Sequence, residues 1–430
     1  MTADRSIVSG RRVAGTVVAP PSKSVTQRAL VAAALASGRS VVRRPLLADD
    51  PRHLIAALNA TGIAASVAGA DEEARVEIDG RGGAIPASSA SLQVGNAGTA
   101  MRFLTAMMAL GSGDYLIDGD RRMRERPIED LLEALRAQGA RAESVHGNGC
   151  PPIRVGGGLR GGTVRLRGSR SSQYLSALLL AAPAAGAYLR VEIEGPLVSR
   201  PYVDLTIDVM GAFGAEARAE PPGPGARRFT VKKGSGYRGR DYTVEGDFSS
   251  ASYFFAAAAV TGGRVSVEGL DPASRQGDAG LVRLLEEMGC VAERGGDTVT
   301  VEGVQDLRGI DADCGAMPDI VQTLAVVALF ARGETRVTGV PHLRYKETDR
   351  IEALVQEIRR LGGEAEPLSD GLVIRPRPLR GARVETYGDH RMAMAFAVAG
   401  LRIPGVLIAD PGCVSKSFPG FWPAFDGILS

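Results

Sequence analysis

The residues able to do chemistry in this chain gather in short turns that open helices. Pro21-Ser22-Lys23-Ser24 places a cation and two hydroxyls at one helix start, and Arg28 follows one turn later. Gly95-Asn96-Ala97-Gly98-Thr99 opens a second helix, and the missing Cβ of Gly98 would let a ligand approach the backbone. Ser171-Ser172-Gln173 opens a third. A helix N-terminus offers unpaired N–H groups and a positive dipole end, a ready anion site. N-capping by Ser, Thr, Asn or Asp would explain any one of these turns alone; the accompanying cations point beyond it. The run Arg121-Arg122-Met123-Arg124-Glu125-Arg126-Pro127 would by itself be a solvated basic loop. In Lys346-Glu347-Thr348-Asp349-Arg350, Lys346 and Arg350 share a helix face and Glu347 precedes Arg350 by three residues. In Asp389-His390-Arg391 a cation stands at a helix start, which is unfavourable unless an anion is close. Lys416 lies in a Ser-flanked turn. His390 has no second His at metal-ligand spacing, and the four cysteines form no C-x-x-C pair, so neither a metal site nor a disulfide framework is expected. Six or so cations, several hydroxyls, and the carboxylates Asp319 and Glu347 suit an enzyme acting on small, multiply negative substrates. General acid and base groups would work inside a cationic pocket.

The elements that must position these residues repeat. Six times the sequence runs strand, Gly/Ser/Asp-rich turn, Ala-rich helix, strand, and usually a second amphipathic helix. The first unit runs from Gly15–Ala19 through the Lys23 turn to Ser40–Val42. The fourth runs from Tyr242–Val244 through Glu245-Gly246-Asp247-Phe248-Ser249-Ser250 to Arg264–Val267. The turns recur about every 70 residues, longer than solenoid periods. With 430 residues, six such units suit two α/β domains of three each. A Pro/Gly/Arg-rich stretch from Pro221 to Arg240 separates the third unit from the fourth. The 51 Lys and Arg nearly cancel the 49 Asp and Glu, so a net charge of +2 argues against nucleic acid or an acidic membrane as the main partner. The N-terminal residues lack a signal-peptide pattern, and the longest apolar stretch, Leu175 to Leu189, is broken by Pro183. A cytoplasmic protein is the expectation.

Taken in order, these motifs, together with Met101-Arg102 and Ser249-Ser250-Ala251, resemble the EPSP synthase family of enolpyruvyl transferases. The resemblance runs from about Gly15 to Phe425. It implies a two-domain inside-out α/β barrel of six βαβαββ repeats, three per domain. The first domain would hold residues 1–20 and 242–430 and the second 21–241, with the active site in the cleft between them. It implies transfer of the enolpyruvyl group of phosphoenolpyruvate to the 5-hydroxyl of shikimate 3-phosphate, on the shikimate pathway to aromatic amino acids. No cofactor, metal, nucleic acid or membrane is implied, only the two small-molecule substrates and a monomeric enzyme. Lys23, Ser24, Arg28, Ser171, Ser172, Gln173, Ser199, Tyr202, Asp319 and Lys346 would hold shikimate 3-phosphate. Lys23, Gly98, Arg126, Gln173, Arg350, Arg391 and Lys416 would hold phosphoenolpyruvate. Asp319 would be the base for the 5-hydroxyl, Glu347 the acid that protonates the methylene carbon, and Lys23 an aid to proton transfer. Glyphosate, the family's inhibitor, would occupy the phosphoenolpyruvate pocket beside Gly98.

Three positions depart from the family's usual pattern: Pro21 stands where Gly is common, Phe103 where Pro is common, and His342 where Asn is common. Two other readings stay open. The sister enzyme, UDP-N-acetylglucosamine enolpyruvyl transferase, shares fold and chemistry but typically carries a loop cysteine, absent from Arg121 to Arg126. A non-catalytic anion-binding repeat protein would need the cations but not Asp319 and Glu347 together.

Overall fold

The computed structural model describes residues 3–70, 73–185, 188–221 and 225–429. Met1, Thr2, Gly186 and Ala187 lie outside the described residues, as do Pro222, Gly223 and Pro224 of the Pro/Gly/Arg-rich stretch.

Two kinds of helix occur, and sequence separates them. Lys23–Leu35, Gly98–Met108, Ser172–Ala181, Phe248–Thr261, Val321–Ala328 and His390–Gly400 are buried on nearly every side. They are rich in Ala and other small or apolar residues, as an all-round buried helix must be. Asp49–Ala60, Glu129–Ala137, Gly280–Glu287 and Arg350–Arg360 are amphipathic and bury one face. Strands alternate accordingly: in Gly162–Arg167 only Val164 and Leu166 are buried.

One sheet pattern recurs. Gly162–Arg167 runs parallel to Leu189–Glu194, which pairs antiparallel with Arg228–Val231, and Ala217–Glu220 forms the edge. The same order links Ser89–Gln93, Asp114–Asp118, Ile153–Gly156 and Arg141–Ser144. It also links Asp311–Asp313, Thr335–Thr338, Leu372–Arg375 and Glu364–Pro367. Parallel neighbours need a crossover, and the buried helix supplies it.

The leading strands of the first and fourth units pair outside their own units. Ala14–Val18, which leads into the Lys23 helix, pairs in parallel with Arg264–Glu268. Asp241–Thr243, which leads into the helix Phe248–Thr261, pairs in parallel with Ser37–Arg43. The leading strands of these two units are thus exchanged. The chain divides into two compact units, one of residues up to Pro20 and from Glu245 onward, the other Pro21–Val244. The boundary expected before Tyr242 falls after Val244, because Val244 N–H donates to Arg43 O and keeps this strand in the second sheet. The last repeat is shorter: Arg383–Val384 is parallel to Leu407–Ile408, and Arg5–Ser6 flanks the latter in antiparallel pairing.

Each unit has its own apolar core. In Pro21–Val244 the buried helices Lys23–Leu35, Gly98–Met108 and Ser172–Ala181 pack on one another; in the other unit Phe248–Thr261, Val321–Ala328 and His390–Gly400 do so. The turns with Lys23, Gly98, Ser171, Asp247, Asp319 and Asp389 lie at the starts of these helices or just before them, whereas Arg126 and Lys346 precede amphipathic helices. Among the described residues, no helix is long and apolar enough to cross a membrane.

Close packing of strand on buried helix generates a test. A Cβ on Gly303, at the end of the strand Thr298–Glu302, would overlap the carbonyl oxygen of Ala258 in the central helix and come within 2.9 Å of Ala259 Cα. Backbone cannot swing aside as a side chain can. Gly303→Ala is expected to lower stability by about 1–3 kcal/mol, read as a lower urea midpoint at constant slope. An unchanged midpoint would show that the helix yields at no cost.

Candidate active site

In the unit Pro21–Val244, three buried helix starts present the expected anion-binding groups. Lys23 is the first residue of its helix, and its Nζ lies 3.2 Å from Asp50 Oδ2. Asp50 is itself buried in the first turn of Asp49–Ala60. Ser171 caps Ser172–Ala181 by accepting from Gln173 N–H at 3.2 Å. Gln173 Nε2 then donates to Thr99 Oγ1 at 3.2 Å, tying the third helix start to the second. Arg126 is buried and donates from Nη1 to Asn96 Oδ1 at 2.8 Å and Asn96 O at 3.1 Å. Its guanidinium lies over Gly98: a Cβ there would meet Arg126 Cζ at 2.9 Å. The next carbonyl, Pro127 O, accepts from Arg102 Nη2 at 3.0 Å and from the Tyr174 hydroxyl at 2.6 Å. Arg102 and Tyr174, on the second and third helices, therefore fix the loop that carries Arg126.

Arg28 has a different character from the other expected binding groups. It is 2% exposed and donates to Thr206 Oγ1 at 2.8 Å, Ser24 O at 2.8 Å and Tyr202 O at 3.0 Å. It thus joins the helix Lys23–Leu35 to Pro201–Ala212, and burial holds its pKa down to about 10. Those bonds also fix the two neighbours expected to touch ligand, Ser24 and Tyr202. Ser199, two residues before Pro201, is buried with φ +52°, a conformation that side-chain-bearing residues seldom adopt.

In the other unit the acid–base candidates converge on one guanidinium. Arg350 is the first residue of Arg350–Arg360, capped by Asp349, which accepts from Glu352 N–H. Arg350 donates from Nε to Asp389 Oδ2 at 2.7 Å, from Nη1 to Asp319 Oδ1 at 3.0 Å, and from Nη2 to Glu347 Oε2 at 2.9 Å. Asp319 is gripped a second time by Arg391 Nη2, on Oδ2 at 2.9 Å. Asp389 also caps the helix His390–Gly400, accepting Arg391 N–H at 2.9 Å. The awkward cation at this helix start is therefore answered by Asp389 and Asp319. Burial would disfavour the Arg350 charge, but Asp389, Glu347 and Asp319 outweigh it and its pKa rises. Burial pushes the Tyr253 hydroxyl up to about 12, so it is neutral where Arg391 Nη1 donates to it at 3.4 Å.

Lys346 is half-buried at the end of the turn Pro341–Tyr345 and next to Glu347; Lys416 is buried and ends the turn Pro411–Lys416. The sequence reading missed four groups: Asp50 beside Lys23, Asn96 as the holder of Arg126, Asp389 as the shared acceptor, and Asp278, a buried carboxyl bonded to the Ser249 hydroxyl. Asn96 and Asp389 were visible as turn residues. Asp50 and Asp278 carry no local signal. Among the described residues, no three His, Cys, Asp or Glu side chains gather as metal ligands do.

The family model for EPSP synthase (3-phosphoshikimate 1-carboxyvinyltransferase) matches residues 7–425. A 3-phosphoshikimate 1-carboxyvinyltransferase from Methanoculleus marisnigri is 47% identical over 410 residues, covering 95% of each chain. Another from Trichormus variabilis is 45% identical over 416 residues, covering 96% of each. A solved structure of EPSP synthase from Acinetobacter baumannii superposes with a TM-score of 0.80 at 29% identity, over 99% of this chain and 98% of that one.

The buried His342 gives a pH test. Burial first, then the charge of Lys346, hold its pKa down to about 3 from an ordinary 6.5. The unfolded chain takes up a proton below pH 6.5 and the folded chain does not. The His342 contribution is therefore full above pH 6.5 and is lost as pH falls, at about 1.4 kcal/mol per pH unit. His342→Asn is expected to lose about 2 kcal/mol less than the parent between pH 7.5 and 5. Urea midpoints at the two pH values measure this; equal losses in both proteins would refute it.

Proposed function

The chain belongs to the EPSP synthase family, and from that premise we propose that it transfers the enolpyruvyl group of phosphoenolpyruvate to the 5-hydroxyl of shikimate 3-phosphate, releasing phosphate. The observation that carries the reading is the sharing of one buried guanidinium, Arg350, by Asp319 and Glu347. Two carboxyl groups with opposite tasks are thereby held in fixed relation, within reach of one charged substrate.

The chemistry divides as follows. Asp319 accepts the 5-hydroxyl proton as that oxygen bonds to C2 of phosphoenolpyruvate. Glu347 gives a proton to the C3 methylene, and the double bond is consumed. In the second step a C3 proton returns to Glu347, the double bond re-forms, and the C2–O bond to phosphate breaks, the departing phosphate taking the proton held by Asp319. Glu347 must hold a proton at the start, although Arg350 favours its carboxylate. The carboxylate of phosphoenolpyruvate resolves this by competing for the Arg350 N–H groups. Arrival of that anion weakens the hold on Glu347 and places like charge beside it, and both changes favour the protonated acid.

On this reading Lys23, Ser24, Ser171, Ser172, Gln173, Ser199, Tyr202, Asp319 and Lys346 would take shikimate 3-phosphate, and Lys23, Gly98, Arg126, Gln173, Arg350, Arg391 and Lys416 would take phosphoenolpyruvate. Arg28 then serves mainly through Ser24 and Tyr202, whose carbonyls it holds. The reading includes the inside-out barrel of three repeats per unit, supported by three mutually packed buried helices in each. The sister enolpyruvyl transferase lacks support: the loop Arg121–Arg126 holds no cysteine.

Phosphate release with phosphoenolpyruvate and shikimate 3-phosphate tests the assignment, with UDP-N-acetylglucosamine replacing the shikimate as the control. Glu347→Gln is expected to lower turnover by about two to four orders of magnitude while shikimate 3-phosphate still binds. Near-normal turnover would remove Glu347 from the mechanism. Gly98→Ala would press its methyl on the Arg126 guanidinium. The KM for phosphoenolpyruvate should rise about tenfold, that for shikimate 3-phosphate should stay within about twofold, and inhibition by glyphosate should weaken further still. Equal losses for inhibitor and both substrates would show that Arg126 and Gly98 do not form the phosphoenolpyruvate pocket.

A further inference from the structure

One buried carboxyl has no task in the reaction above. Asp278 is 3% exposed in the single-turn segment Gly277–Ala279 and accepts the Ser249 hydroxyl on Oδ2. Ser249 belongs to the first turn of Phe248–Thr261. The segment is pinned there by its neighbour Gln276, whose Nε2 donates to Gly246 O and Glu245 Oε1, both at 2.7 Å, and whose Oε1 accepts Phe248 N–H at 3.0 Å. Gly277–Ala279 packs against Pro318–Ile320, the turn that carries Asp319. A Cβ on Gly280 would meet the Met317 sulfur at 3.0 Å, so the two segments are closely packed.

Asp319 has a problem as a base. Arg350 holds one of its oxygens and Arg391 the other. Two guanidinium groups stabilise the carboxylate and so weaken its pull on a proton. We propose that Asp278 is a positioning residue for Asp319, a second buried carboxyl whose like charge restores the proton affinity that Arg350 and Arg391 remove. This rests on Asp319 being the base of the proposed reaction. The groups that face Asp278 are Asp319, Arg391, Asp247, Ser249 and the Cys314 thiol, with Arg350 and Glu347 beyond Asp319. Burial first, then the charge of Asp319, push Asp278 up to about 7, against the lowering by Arg391 and the Ser249 hydrogen bond. Asp278 is therefore neutral in acid and charged in base, and its help to Asp319 appears only as pH rises through neutrality.

The test is a pH series of kcat for the parent enzyme and Asp278→Asn, which keeps size and an acceptor for Ser249. The ratio of parent to variant kcat should be near one at pH 5.5 and grow to about tenfold at pH 8.5, with both KM values within about twofold. Ser249→Ala, which removes a bond that favours the ionised form, should move the rise of the parent profile to higher pH. A damaged fold would give a ratio independent of pH. That result, or a ratio below about two throughout, overturns the proposal. Asp319→Asn separates this failure from a deeper one. If it abolishes turnover while the ratio is flat, only the role of Asp278 falls. If it leaves turnover near normal, Asp319 is not the base and both readings fall.

Discussion

A guanidinium does not shed its proton at neutral pH, so burying one obliges the surrounding chain to supply acceptors, and three carboxylates are the strongest set this chain offers. Arg350 is 1% exposed, and Asp389, Asp319 and Glu347 meet it from three different segments. Much of the unit's local structure follows. The helix Arg350–Arg360 must start where it does, the turn Pro318–Ile320 must face it, and the cap of His390–Gly400 must serve two masters at once. Removing one partner from such a cluster leaves uncompensated buried charge, which is why these positions cannot vary singly without cost.

The same helix is tied a second time. Two turns after Arg350, the buried Glu357 accepts Glu385 N–H at 3.0 Å and the Tyr387 hydroxyl at 2.7 Å. The loop leading to Asp389 is therefore held at both ends of one helix face. In the other unit Lys23 is paired with the buried Asp50, but two buried guanidinium groups are held differently. Arg28 and Arg126 are anchored by oxygens of Thr206, Ser24, Tyr202 and Asn96, all neutral. A neutral acceptor orients a guanidinium without cancelling its field.

Much of this was legible in the sequence because most of the candidate groups lie at helix starts, and helix starts have local chemistry. Ser171-Ser172-Gln173 and Asp389-His390-Arg391 are recognisable from a few residues each. The Ala-rich helices were legible as helices, since burial on all sides demands small side chains. What was not legible is what depends on distant partners. Tyr242–Val244 reads equally well as the leading strand of either sheet, because a parallel pairing leaves no turn to betray it. The pairing of Arg350 and Arg391 with carboxylates was hidden for the same reason: Asp319 lies far from both in sequence. Asp278 follows an unremarkable Gln-Gly pair, and only burial and the nearness of Asp319 distinguish it.

The exchange of leading strands sets an order of events during synthesis. Ala14–Val18 leaves the ribosome first, yet its sheet partner Arg264–Glu268 appears more than half the chain later. The segment between them carries its own completion: Asp241–Thr243 adds the edge strand beside Ser37–Arg43 just before that unit ends. One unit can therefore condense as an uninterrupted stretch while the N-terminal strand waits, its hydrogen-bonding edge unsatisfied. The waiting strand is short and its residues mostly exposed even in the finished sheet, which limits its attraction for the wrong partner. The enzyme's final assembly is thus a stitching step, in which Ala14–Val18 is sewn to a strand made midway and Arg5–Ser6 to Leu407–Ile408, made almost last.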